Sequence, residues 1–98
     1  MIRVVYRWRV DPENFDAFEA SWSVTTNRIH ETVPGALGSF LLRGVDDDSE
    51  VLTVAKWDSL ESWRAFWQGS DPEAMVEMGT LGQRLSAVPF EELGDHTR

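Results

Sequence analysis

Cysteine is absent from this 98-residue chain. Its absence excludes disulfides, thiol nucleophiles and thiolate metal sites. Long apolar runs are also absent, because no stretch approaches the roughly 18 residues that a membrane-spanning helix needs. The sequence after Met1 has neither the charged region nor the apolar region of a secretory signal. We therefore expect a cytoplasmic protein without a membrane partner.

Positive charge is scarce. Nine Lys and Arg stand against 17 Asp and Glu, which gives a formal net charge of −8. We expect no nucleic-acid partner, because binding to phosphates needs a basic surface. Three of the nine basic residues, Arg3, Arg7 and Arg9, lie in the first predicted strand. We expect them to pair with carboxylates, across a subunit contact if the chain is a dimer.

Residues that bind metals are few. The two histidines are His30 and His96, and neither has a ligand partner at a useful spacing. His30 falls at the end of the first predicted helix, where a cation favours the helix dipole. The acidic run at residues 46–48 lacks the glycine and the distal glutamate of a calcium loop. The sequence also has no phosphate-binding glycine loop, nucleophile elbow or dinucleotide fingerprint. We expect no metal site.

Periodicity predicts four strands. A polar turn at residues 46–49 joins two of them into a hairpin. A fourth strand is expected over residues 85–93, where Pro89 places it at a sheet edge or at a bulge. Residues 2–10 and 37–45 alternate between two faces, as strands do. Residues 50–57 are predicted as the third strand because they are rich in β-branched and apolar residues.

Capping residues predict the helices. Asp-Pro-Glu at residues 11–13 begins a helix that ends near Val33, before a Pro-Gly stop signal. Asp-Ser-Leu-Glu at residues 58–61 reads as a capping box for a second helix. A Gly-Ser pair at residues 69–70 breaks that helix, and residues 71–73 begin a third. The apolar stripe expected on the third helix consists of Met75, Met78, Leu81 and Leu85.

The resulting order is β-α-β-β-α-α-β, which predicts an α+β domain. It consists of a four-stranded antiparallel sheet with the helices on one face. The domain covers residues 1–93, and residues 94–98 form a polar tail. The other sheet face still carries Val5 and apolar residues of the second and third strands. Because no sequence is left to cover that face, we expect a homodimer.

Aromatic side chains are plentiful, with five Trp and five Phe. Tryptophans of the first and third strands and of the first two helices converge between the sheet and the helices. They form either a packed core or an apolar pocket for a flat aromatic molecule. Each buried indole also needs an acceptor for its N–H. Polar groups suited to such a pocket are Thr26, Asn27, Arg43 and Thr53.

Two segments resemble the antibiotic biosynthesis monooxygenase family, whose members are small dimeric α+β-barrel proteins with a ferredoxin-like fold. They are VPGALGSFLLR at residues 33–43, a turn and strand, and VAKWDSLESWRAFW at residues 54–67, a strand-to-helix junction. The order of elements agrees over residues 1–93. The resemblance implies the same fold, and it is more specific for the fold than for an activity.

The resemblance implies a monooxygenase that oxidises a polyketide-type phenol to a quinone without metal, haem or flavin. The expected partner is then a small aromatic molecule, and no cofactor is expected. The polar roles in such chemistry, deprotonating the phenol and stabilising the anion, would belong to Tyr6, Asn27 and Arg43. The substrate-binding wall would consist of Trp8, Trp22, Trp57, Trp63, Phe66 and Trp67.

Two alternatives stay open within the same superfamily. One is a non-oxidative ligand binder, cyclase or isomerase. The other is haem binding or degradation, since a related branch places a Trp where Trp67 stands. That branch has an iron-ligating His where this chain has residues 76–78, and an Asn where this chain has Tyr6. Haem degradation is therefore the weaker alternative.

Overall fold

The computed structural model describes residues 1–68 and 73–97, without the side chains of residues 73–75. The predicted helix break at residues 69–70, the restart at residues 71–72 and the Met75 side chain lie outside the described residues. Elsewhere the order of elements is as predicted. The elements are β1 Ile2–Arg9, α1 Phe15–Thr32, β2 Ala36–Arg43, β3 Glu50–Trp57, α2 Leu60–Gln68, α3 Glu73–Leu81 and β4 Gln83–Glu91.

The four strands form one antiparallel sheet in the order β2-β3-β1-β4. The first strand is therefore central, and β2 and β4 are the edges. The predicted α+β fold is confirmed. Within one chain the sheet stays open, since its two edge strands are at opposite ends.

All three helices cover the same sheet face. In β1 the residues that face them, Val4, Tyr6 and Trp8, are buried, whereas Arg7 and Arg9 on the other face are exposed. Phe18 of α1, Trp63 of α2 and Met78 of α3 join that core, where a fully buried large side chain contributes about 1.5–3 kcal/mol. The predicted placement of the helices on one face is thus confirmed.

The last strand begins earlier than predicted and contains a bulge. Its pairing with β1 shifts between Arg7 and Trp8, whose partners are Ser86 and Arg84. Leu85 is the extra residue, so it belongs to β4 and not to the apolar stripe of α3. Pro89 lies on an edge strand, as predicted, but the bulge is at Leu85.

The helix caps agree with the sequence in one case and differ in the other. Asp11 accepts a hydrogen bond from the Glu13 N–H at 2.9 Å, as expected, and a 3-10 turn then precedes α1. At α2 the capping side chain is Ser59, whose Oγ accepts the Ser62 N–H at 3.1 Å. The predicted box of residues 58–61 is therefore displaced by one residue.

Within the described residues, no helix is long and apolar enough to span a membrane.

A tight contact at Gly35 joins the start of β2 to the start of α2. Gly35 has a φ of +87°, and a Cβ there would lie 2.6 Å from Asp58 and Ser62 side-chain atoms. Its carbonyl accepts the Asp58 N–H at 2.9 Å. Only glycine satisfies both the backbone conformation and the close approach.

We expect Gly35→Ala to lower the free energy of unfolding by about 1–3 kcal/mol, because it forces a left-handed alanine against α2. Gly79→Ala is the matched control. Gly79 lies on α3 with no atom near an added Cβ, so alanine there should stabilise by about 0.4–1 kcal/mol. Denaturant unfolding measures both. Equal effects of the two substitutions would contradict the close approach at Gly35.

Candidate functional site

A cavity of about 50 Å³ lies between α1 and the inward face of the sheet. The residues that line it recur with the periods of the helix and of the strands. On α1 the lining positions are three, four, seven and eight residues after Trp22, which places them on one helix face. On β1 and β3 they alternate with residues of the other sheet face. The lining includes Tyr6, Trp8, Trp22, Thr25, Thr26, Ile29, His30, Ala36, Ser39, Thr53, Trp57 and Met78.

A bulge in β2 brings Ser39 to this cavity. Ala36 pairs with Trp57, whereas Ser39 pairs with Ala55, so one extra residue stands in β2 between them. Gly38, with a φ of +112°, accommodates that bulge. Ala36 and Ser39 therefore both line the cavity although they are three residues apart.

Three indole N–H groups in and beside the cavity have hydrogen-bond acceptors on other elements. Trp8 donates to Thr53 Oγ1 at 3.1 Å, and Trp22 donates to Ser39 Oγ at 3.3 Å. The third bond, from Trp63, is made to Tyr6. Trp57 differs, because its buried Nε1–H has no acceptor within the part of the chain that the structure describes. A buried donor without an acceptor costs about 1–3 kcal/mol.

Tyr6 is a neutral hydrogen-bond donor at the floor of this cavity. Its Oη accepts the Trp63 Nε1–H at 3.0 Å, and this bond leaves the hydroxyl hydrogen available for another partner. Burial raises the pKa of Tyr6 above its ordinary value, and the bond from Trp63 and the charge of Arg84 oppose that shift. The side chain therefore keeps its proton at neutral pH, so it can donate but cannot serve as a base.

An aromatic stack supports the cavity from behind. The rings of Trp63 and Trp67 are stacked, with centroids 5.5 Å apart, and Trp67 also lies 5.9 Å from Tyr6. Phe66 packs against Trp57 at 5.3 Å, and the Arg84 guanidinium covers Trp67 at 4.7 Å. None of Trp63, Phe66 and Trp67 lines the cavity.

The structure divides the predicted site residues into three groups. Tyr6, Trp8, Trp22 and Trp57 line the cavity. The aromatic stack of α2 supports it. Asn27 and Arg43 lie outside it: Asn27 is exposed on α1, and Arg43 lies over the Phe15 ring at 4.4 Å.

Thr25, His30 and Ser39 also line the cavity, although the sequence does not predict them as site residues. His30 stands in the last turn of α1, as predicted, and it also lines the cavity. Its distance of eight residues from Trp22 was the available signal, since positions 22, 26 and 30 share one helix face. Among the described residues, no group of three or more His, Asp or Glu could hold a metal ion.

Comparisons with known proteins agree with this fold. A family model described as antibiotic biosynthesis monooxygenase matches residues 1–78. SnoaB from Streptomyces nogalater, a cofactor-independent oxygenase, superposes with a TM-score of 0.77 at 20% identity, over 99% of this chain and 97% of that one. A proposed antibiotic biosynthesis monooxygenase from Chloroflexus aurantiacus gives 0.73 at 20% identity, over 98% and 96%.

A protein from Mycobacterium tuberculosis superposes with a TM-score of 0.70 at 15% identity, over 98% of each chain. A search of curated protein sequences gives no significant match. At these identities the structural neighbours show the fold, and the ferredoxin-like arrangement expected from the sequence is confirmed.

The hydrogen bond from Trp63 can be tested on Tyr6, which is the chain's one tyrosine. We expect Trp63→Phe to raise the pKa of Tyr6 further, because it removes a donor that favours the phenolate. The tyrosinate absorbance in an alkaline titration measures this. Trp67→Phe removes an indole from the same stack without removing that bond, so it should not raise the pKa.

The same titration has a consequence for stability. A raised pKa means that the folded state holds the Tyr6 proton more tightly than the unfolded state does. Its contribution to stability is complete below about pH 10 and is lost as the pH rises through the folded-state pKa. An unchanged or lowered Tyr6 pKa in Trp63→Phe would contradict the assigned bond.

Proposed function

Because the chain belongs to the antibiotic biosynthesis monooxygenase family, we propose that it is a cofactor-independent monooxygenase that oxidises an aromatic phenol to a quinone. The observation that carries this proposal is the Tyr6 hydroxyl, a protonated donor at the floor of a cavity walled by tryptophans. SnoaB, which shares the fold, is a cofactor-independent oxygenase.

The proposed reaction takes all its electrons from the substrate. A phenol and O₂ give a quinone and water, so one oxygen atom enters the ring and the other leaves as water. This is a four-electron oxidation matched by the four-electron reduction of O₂, and no external reductant is needed. The phenolate is the form that reacts, because an anionic ring gives up an electron to O₂ more readily than a neutral one.

The proposed roles follow from the atoms that each residue presents. The Tyr6 O–H donates to the substrate oxygen and stabilises its negative charge, as a preorganised donor in a dry site does. His30, at the α1 end of the cavity wall, supplies the imidazole that accepts the phenol proton, since histidine is the most frequent general base. Trp8 and Trp57 form the apolar walls. Asn27 and Arg43 have no contact with the substrate in this arrangement.

Tyr6→Phe is expected to lower kcat for oxygen uptake by about 10²-fold, the usual effect of losing one such donor. It keeps the ring but leaves the buried Trp63 Nε1–H without its acceptor, so the free energy of unfolding should fall by about 1–3 kcal/mol. Oxygen uptake is therefore compared at a temperature where thermal unfolding shows both proteins to be folded. The assay uses chelator-treated protein with a panel of one-ring and fused-ring phenols, and records oxygen consumption.

Asn27→Ala separates the two possible assignments of the polar roles. A loss as large as that of Tyr6→Phe would favour the sequence-based assignment of Asn27 over the cavity. Binding of phenols without any oxygen uptake would replace the monooxygenase by a non-oxidative ligand binder, cyclase or isomerase. A shift of the haem absorbance on titration would instead support the haem alternative.

We also propose that the working unit is a homodimer formed through the sheet face opposite the helices. We call this the open face; its apolar residues are Val5, Phe40, Leu42, Leu52, Val54, Val88 and Phe90. Four of these side chains are more than 40% exposed. The face contains a depression of about 580 Å³, which is lined by Val5, Leu52, Val88 and Phe90 together with Arg7, Glu50 and Ser86. A contiguous exposed apolar face of this kind marks an interaction site.

The charges of the open face favour a second copy of the chain as its binding partner. The predicted arginines pair within their own chain: Arg3 with Glu92 at 2.6 Å, Arg7 with Glu50 at 2.7 Å, and Arg9 more loosely with Asp47. These three arginines are thus already paired with carboxylates, which reduces their repulsion from a second copy of the same face across a two-fold axis. Two such sheets face to face would form the barrel that the resemblance implies. A cytoplasmic location remains part of the proposal.

Val88→Glu should convert the dimer to a monomer, because it places an unpaired charge in the depression of the open face, where the proposed contact would bury it. Light scattering on a sizing column measures the mass, which is expected to be twice 11.2 kDa for the wild type. Val76→Glu is the control, since Val76 is similarly exposed but lies on α3. A wild-type monomer, or dissociation by both variants alike, would contradict the proposed interface.

A further inference from the structure

Trp22 stands at the mouth of the cavity. It lies on α1, half-buried, and its indole N–H reaches across to Ser39 Oγ on the edge strand β2 at 3.3 Å. The residues behind it are deeper, since Trp8 and Trp57 are each 2% exposed. The indole of Trp22 therefore spans the gap between α1 and β2 through which a ligand would pass.

The remaining space is small. The cavity has about 50 Å³, whereas an apolar cavity that takes up benzene has about 150 Å³, and pockets for drug-sized ligands have about 300–1,000 Å³. Even one aromatic ring needs some adjustment of the wall. Met78, an unbranched and flexible side chain on the wall, can supply that adjustment. A second fused ring fits only if one of the large side chains that line the cavity is removed.

The other aromatic walls are fixed. Tyr6 is held by Trp63 at 3.0 Å, and Trp8 is held by Thr53 at 3.1 Å. Trp57 packs against Phe66 in the core. Among the aromatic residues that line the cavity, Trp22 is the half-exposed one. Its side chain therefore limits how far a bound ligand extends toward solvent.

We propose that Trp22 determines the substrate size of this site, admitting a single-ring phenol and excluding fused polycyclic phenols. The inference rests on the proposed function only in assigning a phenol to the cavity. Trp22 acts by bulk at the mouth and is not a catalytic residue. Removing its bicyclic indole creates space of the shape that a second fused ring needs.

The test compares phenol with 1-naphthol, which differs by one fused ring, as ligands of wild-type protein and of Trp22→Ala. Dissociation constants come from NMR titration of the indole N–H signals under argon, so no oxidation takes place. In Trp22→Ala the ratio of 1-naphthol affinity to phenol affinity should rise at least about tenfold. This is the low end of the selectivity that an apolar pocket gains from a difference in ligand size. Phenol affinity itself should change little.

Two further variants make the result decisive. Val24→Ala truncates an exposed side chain of the same helix that does not line the cavity, so it should leave the preference within about twofold of the wild type. Trp22→Phe keeps an aromatic ring in the packing and should give an intermediate rise even if the alanine variant is unstable.

The inference is overturned if both Trp22 variants keep the wild-type preference, or if Val24→Ala changes it equally. Absence of any binding of phenols would reject the cavity as a ligand site, and with it the role of Trp22. A failure of the proposed function looks different, because phenols would then bind with the expected size preference while no oxygen is consumed.

Discussion

Three of the five tryptophans donate their indole N–H to an acceptor on another element, and these hydrogen bonds organise the fold. Trp8 bonds to Thr53, which ties β1 to β3. Trp22 bonds to Ser39, which ties α1 to an edge strand. Each bond joins elements that are distant in sequence, so the donors fix the sheet register and the positions of the helices together.

The third of these bonds also sets the chemistry of the cavity. Trp63 donates to Tyr6 and ties α2 to the central strand. With an acceptor site of Tyr6 taken, its hydroxyl is oriented as a donor, and burial keeps it protonated by raising its pKa. A residue that the sequence offered as a helper in deprotonating a phenol is thereby better suited to stabilise the resulting anion. The same buried network that holds the helix to the sheet also prepares the site.

The sequence predicts the fold well, because strand alternation and helix caps are local signals. The pattern of Val4, Tyr6 and Trp8 against Arg3 and Arg7 is enough to orient β1. The errors have physical causes that no local rule contains. Ser39 reaches the cavity through a bulge at Gly38. Leu85 belongs to a bulged strand, because its pairing is decided by β1.

The site was less predictable than the fold for a related reason. The sequence shows how many aromatic residues the chain has. That count does not distinguish the residues that line a cavity from those that support it. Trp63 and Trp67 differ from Trp57 only in which neighbours they meet in three dimensions. A sequence offers polar candidates only as residue types, so it cannot separate Asn27, which faces solvent on its helix, from a residue that faces the cavity. The position of His30 at a helix end has an explanation of its own, which hides its place on the cavity wall.

Helix α1 carries hydroxyl residues that are buried or line the cavity. Threonine and serine are poorer helix formers than alanine, by about half a kcal/mol each, yet Ser21 and Thr25 are buried on the face toward the sheet. An apolar residue at position 25 or 26 would stabilise the helix and close the cavity with hydrocarbon. Hydroxyl groups there keep the cavity wall partly polar. The helix therefore has a lower helix propensity than an alanine-rich sequence of the same length, and its threonines leave polar atoms on the wall where the proposed ligand would bind.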